Sequence, residues 1–318
     1  MAGEFALIDR IRARVVQRGD VVLGIGDDAA LLAPEPGAQL VVAMDTLNSG
    51  VHFPDDTGAA DIGWKALAVN LSDLAAMGAR PAWCTLSLSL PTPDAAWIDA
   101  FLDGFDALAR PHAVALVGGD TTRGPLSVCV TVHGLVAPGQ ALRRDSAQVG
   151  DDVWVSGTLG DAAAALAQWT QGGARDAELR RRLDRPDPRL ALGGALAAHA
   201  HAAIDVSDGL LADLGHVCRA SGVGAQIDVD ALPASEALRR AIADPEQRRA
   251  LQAAGGDDYE LCFTAPAHAR AAIDAVACAS GTPVTRIGHI VAGDGVVAHT
   301  GDGVAWTPAR AGWDHFPG

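Results

Sequence analysis

Five short acidic clusters, most with glycine alongside, recur along the chain in expected strand-to-turn contexts. They are Gly24-Ile25-Gly26-Asp27-Asp28, Asn70-Leu71-Ser72-Asp73, Gly118-Gly119-Asp120-Thr121-Thr122, Asp205-Val206-Ser207-Asp208-Gly209 and Gly255-Gly256-Asp257-Asp258. Asp45, in Met44-Asp45-Thr46-Leu47, adds a lone carboxylate after a strand-like run. Mg²⁺ takes hard oxygen ligands and is typically shared between one or two carboxylates and substrate phosphates. Glycine lets the backbone come close to a bulky anion and adopt angles other residues avoid. One such cluster reads as an Asp-Gly turn. Five of them, in a chain with a single lysine, favour a site for several metal ions and a polyphosphate. Phosphoryl transfer relies mainly on positioning and charge neutralisation. Asp28, Asp45, Asp73, Asp120, Asp205 and Asp208 could hold two or more Mg²⁺ ions against the phosphates. Arg143 or Arg144 could add a forked phosphate contact.

Composition narrows the classes. The 318 residues suggest about two domains. A formal charge of −15 argues against nucleic-acid or membrane-surface binding and fits a protein that meets anions through metal ions. The only lysine, Lys65, follows no glycine-rich stretch, which excludes a Walker A loop, and it lies outside a protein-kinase strand motif. Cys84, Cys129, Cys218, Cys262 and Cys278 never form a Cys-x-x-Cys pair; buried free thiols in a reducing compartment are expected, not zinc or a disulfide. With neither a signal-peptide core nor an apolar run of membrane length, the expected compartment is the cytoplasm. No Gly-x-Ser-x-Gly elbow marks a hydrolase nucleophile, and no residue is expected to act as a covalent catalyst. Asp151-Asp152 and Gly301-Asp302-Gly303 read as turns.

The elements that position these clusters alternate between helix and strand. A helix over about 4–16 precedes the first Gly-Asp loop, and a strand near 39–44 leads into Asp45. Residues 58–78 carry Leu67, Leu71 and Leu74 at the spacing of a buried stripe, with Lys65, Ser72 and Asp73 on the opposite face. Strands follow near 84–90, 113–117 and 126–136, with a helix through Trp97, Phe101 and Leu108. Pro138-Gly139 punctuates the chain, which places the domain boundary near 138–150. Beyond it come a strand at 153–155, helices at 159–170 and 188–200, a strand into Asp205 and a helix to about 220. Strands at 225–229 and 259–264 and a helix at 266–278 follow. The Arg- and Pro-rich stretch 180–188 reads as an exposed connection. The predicted class is α/β or α+β in two layered domains, 1–138 and 139–318.

The motifs together resemble the thiamine-monophosphate kinase family. The resemblance rests on Gly24-Ile25-Gly26-Asp27-Asp28-Ala29-Ala30, on Asp45-Thr46-Leu47 with His52-Phe53, and on the run from Lys65 to Ala79. It rests equally on Gly118-Gly119-Asp120-Thr121-Thr122-Arg123-Gly124, Ile204-Asp205-Val206-Ser207-Asp208-Gly209-Leu210 and Gly312-Trp313-Asp314-His315-Phe316. It spans almost the whole chain, while the Gly-Gly-Asp element is shared with related ATP-using synthetases. The resemblance implies ATP-dependent phosphorylation of thiamine monophosphate to thiamine diphosphate. It also implies a synthetase-like fold whose N-terminal sheet domain dimerises, with the active site in the cleft between domains. Residue by residue, it makes Asp28, Asp45, Asp73, Asp120, Asp205 and Asp208 ligands of Mg²⁺. Gly119, Asp120, Arg144 and Ser207 would contact ATP, and His52, Asp257 and Trp313 the thiamine monophosphate. Two departures stand out. Ala43 and Met44 occupy positions where the family has hydroxyl side chains, so Met44 could serve a metal only through its backbone carbonyl. Asp257 replaces the family's substrate-contacting glutamate. A related synthetase activating an amidine or a selenide, and a catalytically silent nucleotide sensor, are the alternatives. No cysteine precedes Cys84 to serve a selenide user, and the six carboxylates a silent sensor would lose are all present.

Overall fold

The chain's structure, a computed structural model, describes residues 4–172, 175–310 and 312. Its internal contacts divide it into two units, Met1–Leu74 with Ala79–Gly139, and Ala75–Gly78 with Gln140–Gly318. The first unit contains α1 (Glu4–Arg14), β1 (Val21–Leu23), β2 (Leu31–Leu32), β3 (Gln39–Asn48), α2 (Ala59–Ala76), β4 (Arg80–Leu90), α3 (Ala95–Ala109), β5 (Ala115–Arg123) and β6 (Ser127–Val136). Four of these strands form a sheet in the order β3-β6-β4-β5, parallel only between β4 and β5. Period-two alternation buries Val128, Val130 and Val132 fully on one face. There α2 packs so closely that a Cβ on Gly134 would stand 3.0 Å from Leu74 Cδ2. On the other face of the edge strand β3, Leu40, Val42 and Met44 are 52, 55 and 62 % exposed.

Glycines let α3 approach α2. A Cβ on Gly63 would lie 2.0 Å from the Phe101 carbonyl oxygen, and one on Gly104 1.7 Å from that of Ala60. Helix α2 is therefore buried nearly all round. Leu67, Leu71 and Leu74 are buried as their spacing predicts, but Lys65 and Ser72 are buried too, and Asp73 is half-buried. The polar side of this helix is not a solvated face.

The second unit contains β7 (Asp151–Ser156), α4 (Asp161–Gln171), α5 (Ala177–Asp184), α6 (Leu190–Leu196), β8 (Ala202–Asp205), α7 (Leu210–Ser221) and β9 (Gly224–Asp228). It continues with α8 (Glu236–Ala241), α9 (Pro245–Ala254), β10 (Leu261–Pro266), α10 (Arg270–Ser280), β11 (Val284–Val291), β12 (Gly295–His299) and β13 (Ala305–Trp306). Its seven-stranded sheet runs β13-β12-β9-β11-β7-β10-β8. Val155, Ile204 and Ile227 from the sheet meet Leu210, Leu214 and Val217 of α7 in the main core.

Two local expectations are overturned here. Asp151 and Asp152 are not a turn: both open β7 and are buried. Asp151 meets His201 Nδ1 at 2.9 Å, and Asp152 accepts from Arg270 Nε at 2.6 Å. Residues 180–188 are not an exposed connection either. Asp176 caps α5 by accepting the N–H groups of Glu178 and Leu179, and Arg182 and Arg189 turn inward to the fully buried Glu260. Both errors have one cause: a charged residue looks exposed until its distant partner is known. All five cysteines are free; Cys84, Cys218 and Cys262 are buried as expected, whereas Cys129 is half-buried and Cys278 exposed. Among the described residues no helix is long and apolar enough to cross a membrane.

Candidate active site

In the first unit two glycine-acidic elements line one cavity of about 710 Å³: Gly26, Asp27 and Asp28 on one side, and Gly118, Gly119 and Asp120 on another. Gly26 has φ +127°, and the Asp27 carboxylate accepts the Asp28 N–H at 2.8 Å, which leaves Asp28 exposed. Gly118-Gly119-Asp120 is not the turn that its composition predicts. It lies within β5, beside a register irregularity between Cys84 and Thr85 of β4. Gly119 has φ +151°, and a Cβ there would stand 1.9 Å from the Leu86 carbonyl oxygen. Only glycine fits this close approach of two strands, and Asp120 emerges exposed directly after it.

Strand β3 and helix α2 bring three further residues into relation. The Asp45 N–H donates to Asn70 Oδ1 at 2.9 Å, while Asn70 Nδ2 donates to the Ala66 carbonyl at 2.9 Å. Asn70 thus ties the strand end carrying Asp45 to the helix carrying Asp73, three residues further on. Lys65 Nζ donates to the His52 carbonyl at 2.9 Å, so the one lysine braces the His52 loop from beneath. The His52 ring accepts the Asn48 N–H at Nδ1 (3.0 Å), which makes Nε2 the protonated nitrogen of the neutral ring. Sequence reading singled out His52 and Asp73 but gave neither Asn70, though it opens one of the clusters, nor Lys65 a role; the signal for Asn70 is its i+3 spacing to Asp73 along a helix whose burial was not legible.

In the second unit Asp205 ends β8 and is buried, while Ser207 and Asp208 are half-buried in the turn before α7. Asp213 holds this turn. Its Oδ2 accepts the backbone N–H of Ser207 at 3.0 Å, of Asp208 at 3.1 Å and of Gly209 at 3.1 Å. Burial, followed by repulsion from Asp205 and Asp208, pushes the Asp213 carboxyl up to about 7. The sequence reading missed Asp213; an acidic residue in the first turn of a helix that follows glycine was its available signal.

The segment Gly255-Gly256-Asp257-Asp258-Tyr259-Glu260 is laced to the same turn. Asp257 N–H donates to the Ser207 carbonyl at 2.9 Å and Tyr259 N–H to that of Val206 at 2.8 Å. Asp257 and Tyr259 both adopt left-handed backbone, φ +68° and +50°, joined by Tyr259 Oη donating to Asp257 Oδ1 at 3.1 Å. Aspartate tolerates this conformation better than most residues, so the backbone suits the shorter acid that stands here. Beneath, Glu260 accepts from Arg182 Nη2 at 2.7 Å, Arg189 Nε at 2.7 Å and Ser156 Oγ at 2.6 Å.

The remaining sequence candidates separate clearly. Arg143 is clamped to Asp145 through Nε at 2.9 Å and Nη2 at 2.5 Å, whereas the backbone carbonyl of exposed Arg144 accepts from Ser221 Oγ at 2.8 Å. Met44 projects its side chain onto the open sheet face. Trp313 lies outside the described residues. The side chains expected as metal ligands are all carboxylates, the hard oxygen chemistry that Mg²⁺ takes. Among the described residues no three His, Cys, Asp or Glu side chains converge into a closed cage. An open arrangement suits an ion that keeps waters and completes its shell with substrate phosphates.

Residues 26–136 match the family model of the AIR synthase related protein N-terminal domain, and residues 148–301 that of the C-terminal domain. The thiamine-monophosphate kinase of Escherichia coli (strain K12) is 48 % identical over 99 % of this chain and 98 % of its own length. The crystal structure of thiamine-monophosphate kinase from Stenotrophomonas maltophilia K279a superposes with a TM-score of 0.88 at 61 % identity, covering 96 % of this chain and 98 % of that one. AaThiL complexed with AMPPCP and TMP superposes with a TM-score of 0.78 at 31 % identity, covering 99 % of this chain and 97 % of that one. Full-length identity at this level, on two matching domain models, shows that the chain belongs to the thiamine-monophosphate kinase family of the AIR synthase related proteins.

Proposed function

We propose that this chain transfers the γ-phosphoryl group of ATP to the phosphate of thiamine monophosphate, giving thiamine diphosphate and ADP. An oxygen of the acceptor phosphate bonds to the γ-phosphorus, and the bond from that phosphorus to the β–γ bridging oxygen breaks. The observation that carries the reading is the cavity of about 710 Å³ lined by Gly26-Asp27-Asp28 and Gly118-Gly119-Asp120. AaThiL, with the same fold, binds AMPPCP and TMP.

Mg²⁺ supplies neutralisation of phosphate charge when bound. Asp28, Asp45, Asp73 and Asp120 would be its ligands in the first unit, with Met44 offering a backbone carbonyl, and Asp205 and Asp208 would be its ligands in the second. Gly119 brings its backbone to the nucleotide, and Arg144 and Ser207 contact it. His52 donates from Nε2 to the acceptor phosphate, Asp257 contacts the acceptor from its braced backbone, and Trp313 covers the thiamine. The acceptor's second ionisation lies near pKa 6, so at neutral pH it is already largely the dianion. No protein general base is required. The open face bearing Leu40, Val42 and Met44 supports pairing with a second copy of this chain. Five free cysteines support a reducing cytoplasm. A coupled assay for ADP release tests the function: release is expected with thiamine monophosphate and not with thiamine, and release with neither removes the reading.

A further inference from the structure

We propose that Arg12 is an additional contact for the phosphates of ATP, an inference that rests on the kinase reading above. Helix α1 carries Arg10, Arg12 and Arg14. Residues four apart share a helix face, and a residue midway between them points to the other side. Arg10 and Arg14 bind α3: Arg10 Nη1 meets Asp99 Oδ2 at 2.7 Å, and Arg14 meets Asp103 and, at 3.2 Å, Asp106 Oδ2. That anchoring turns Arg12 the other way, onto the Gly26 loop, where its Nη1 stands 2.9 Å and its Cζ 3.0 Å from the place a Gly26 Cβ would occupy. Gly26 thus makes room for a guanidinium.

Arg12 lines the cavity of about 710 Å³ together with Asp27, Asp28, Gly119 and Asp120, and it is the only cationic side chain among that cavity's lining residues. Unlike those of Arg10 and Arg14, its side chain has no hydrogen-bond or ion-pair partner among the described residues, and only its backbone carbonyl is engaged, by the Val15 N–H. The cavity's lining carries four carboxylates, Asp9 of α1 together with Asp27, Asp28 and Asp120, so a polyphosphate bound there needs cations. An unpaired guanidinium at the wall supplies one, with a forked geometry that matches phosphate oxygens.

Steady-state kinetics of R12A and R12K, with titration of AMPPCP in the presence of Mg²⁺, tests this. R12A should raise the KM for ATP about tenfold, the order of one charge-assisted contact, and weaken AMPPCP equally. Its KM for thiamine monophosphate should stay within about twofold of the unsubstituted protein, and R12K should fall between, because an ammonium cannot fork. A nucleotide KM unchanged in R12A, or an equal rise in both KM values, overturns the assignment. If the unsubstituted protein releases no ADP with thiamine monophosphate, the kinase reading falls and this inference with it. If it does release ADP while R12A binds AMPPCP as tightly, Arg12 alone is misassigned.

Discussion

His52 illustrates how a side chain's role follows from one hydrogen bond. Its Nδ1 accepts the Asn48 N–H, so the neutral ring presents a donor at Nε2, suited to a phosphate oxygen. His52→Gln should raise the KM for thiamine monophosphate by about tenfold, as loss of one contact to a charged group does, and leave appreciable turnover at saturation. Abolished turnover with a lost limb in the pH profile would instead make His52 a general base. Asp73 and Asp120 make the sharper test of the metal proposal. Asp73→Asn or Asp120→Asn removes one ligand charge without altering shape. Either change should cost several kcal/mol of transition-state stabilisation, on the order that metal-borne charge neutralisation supplies, and should raise the Mg²⁺ requirement. Near-normal turnover at limiting Mg²⁺ in either variant would remove that residue from the ligand set.

At the scale of elements, the acceptor segment and the Ser207 turn are held by buried charge. Burial alone would raise the Glu260 carboxyl, but Arg189, then Arg182 and Ser156, hold it below the ordinary glutamate range. Taking away a buried ion's partner is far costlier than the pair is worth. Glu260→Ala should therefore destabilise the fold by about 3–5 kcal/mol at neutral pH, measured by urea denaturation. Because the folded pKa lies below the unfolded one, this contribution is present above the unfolded pKa and is lost as pH falls through the folded value. The gap between the native protein and E260A should accordingly narrow in acid; a gap that widened would mean that Glu260 is not the ionised partner. The turn residues themselves were legible in the sequence, since glycine and aspartate are local signals. Their anchors were not, because Glu260 lies more than seventy residues from either arginine.

The whole molecule raises the question of association. Strand β3 is an edge, and Leu40, Val42 and Met44 expose an apolar row on one sheet face. Exposed apolar sheet surface of this kind is covered in soluble proteins by a partner or another element. A two-fold dimer through the first unit is the expected state, read by sedimentation at micromolar concentration. Val42→Glu should shift the protein toward monomer without unfolding it, since the side chain is already more than half exposed. A native protein that sediments as a monomer would end the dimer proposal.

The sequence by itself determined the family-level chemistry. The acidic clusters, the leucine spacing of α2 and the strand alternation of β6 are local patterns, set by nearest-neighbour conformational preferences and by which face must leave water. It likewise determined that no P-loop lysine could hold the nucleotide. Tertiary structure alone decided which polar groups are buried and why. Gly119 must be glycine because the Leu86 carbonyl approaches across the sheet. Lys65 is buried because the His52 loop folds over it, and Asp213 matters because three N–H groups converge on it. Asp151 and residues 180–188 were misread for the same reason. Whether a charge faces water or a distant partner depends on long-range pairing, and no local pattern in a chain encodes that.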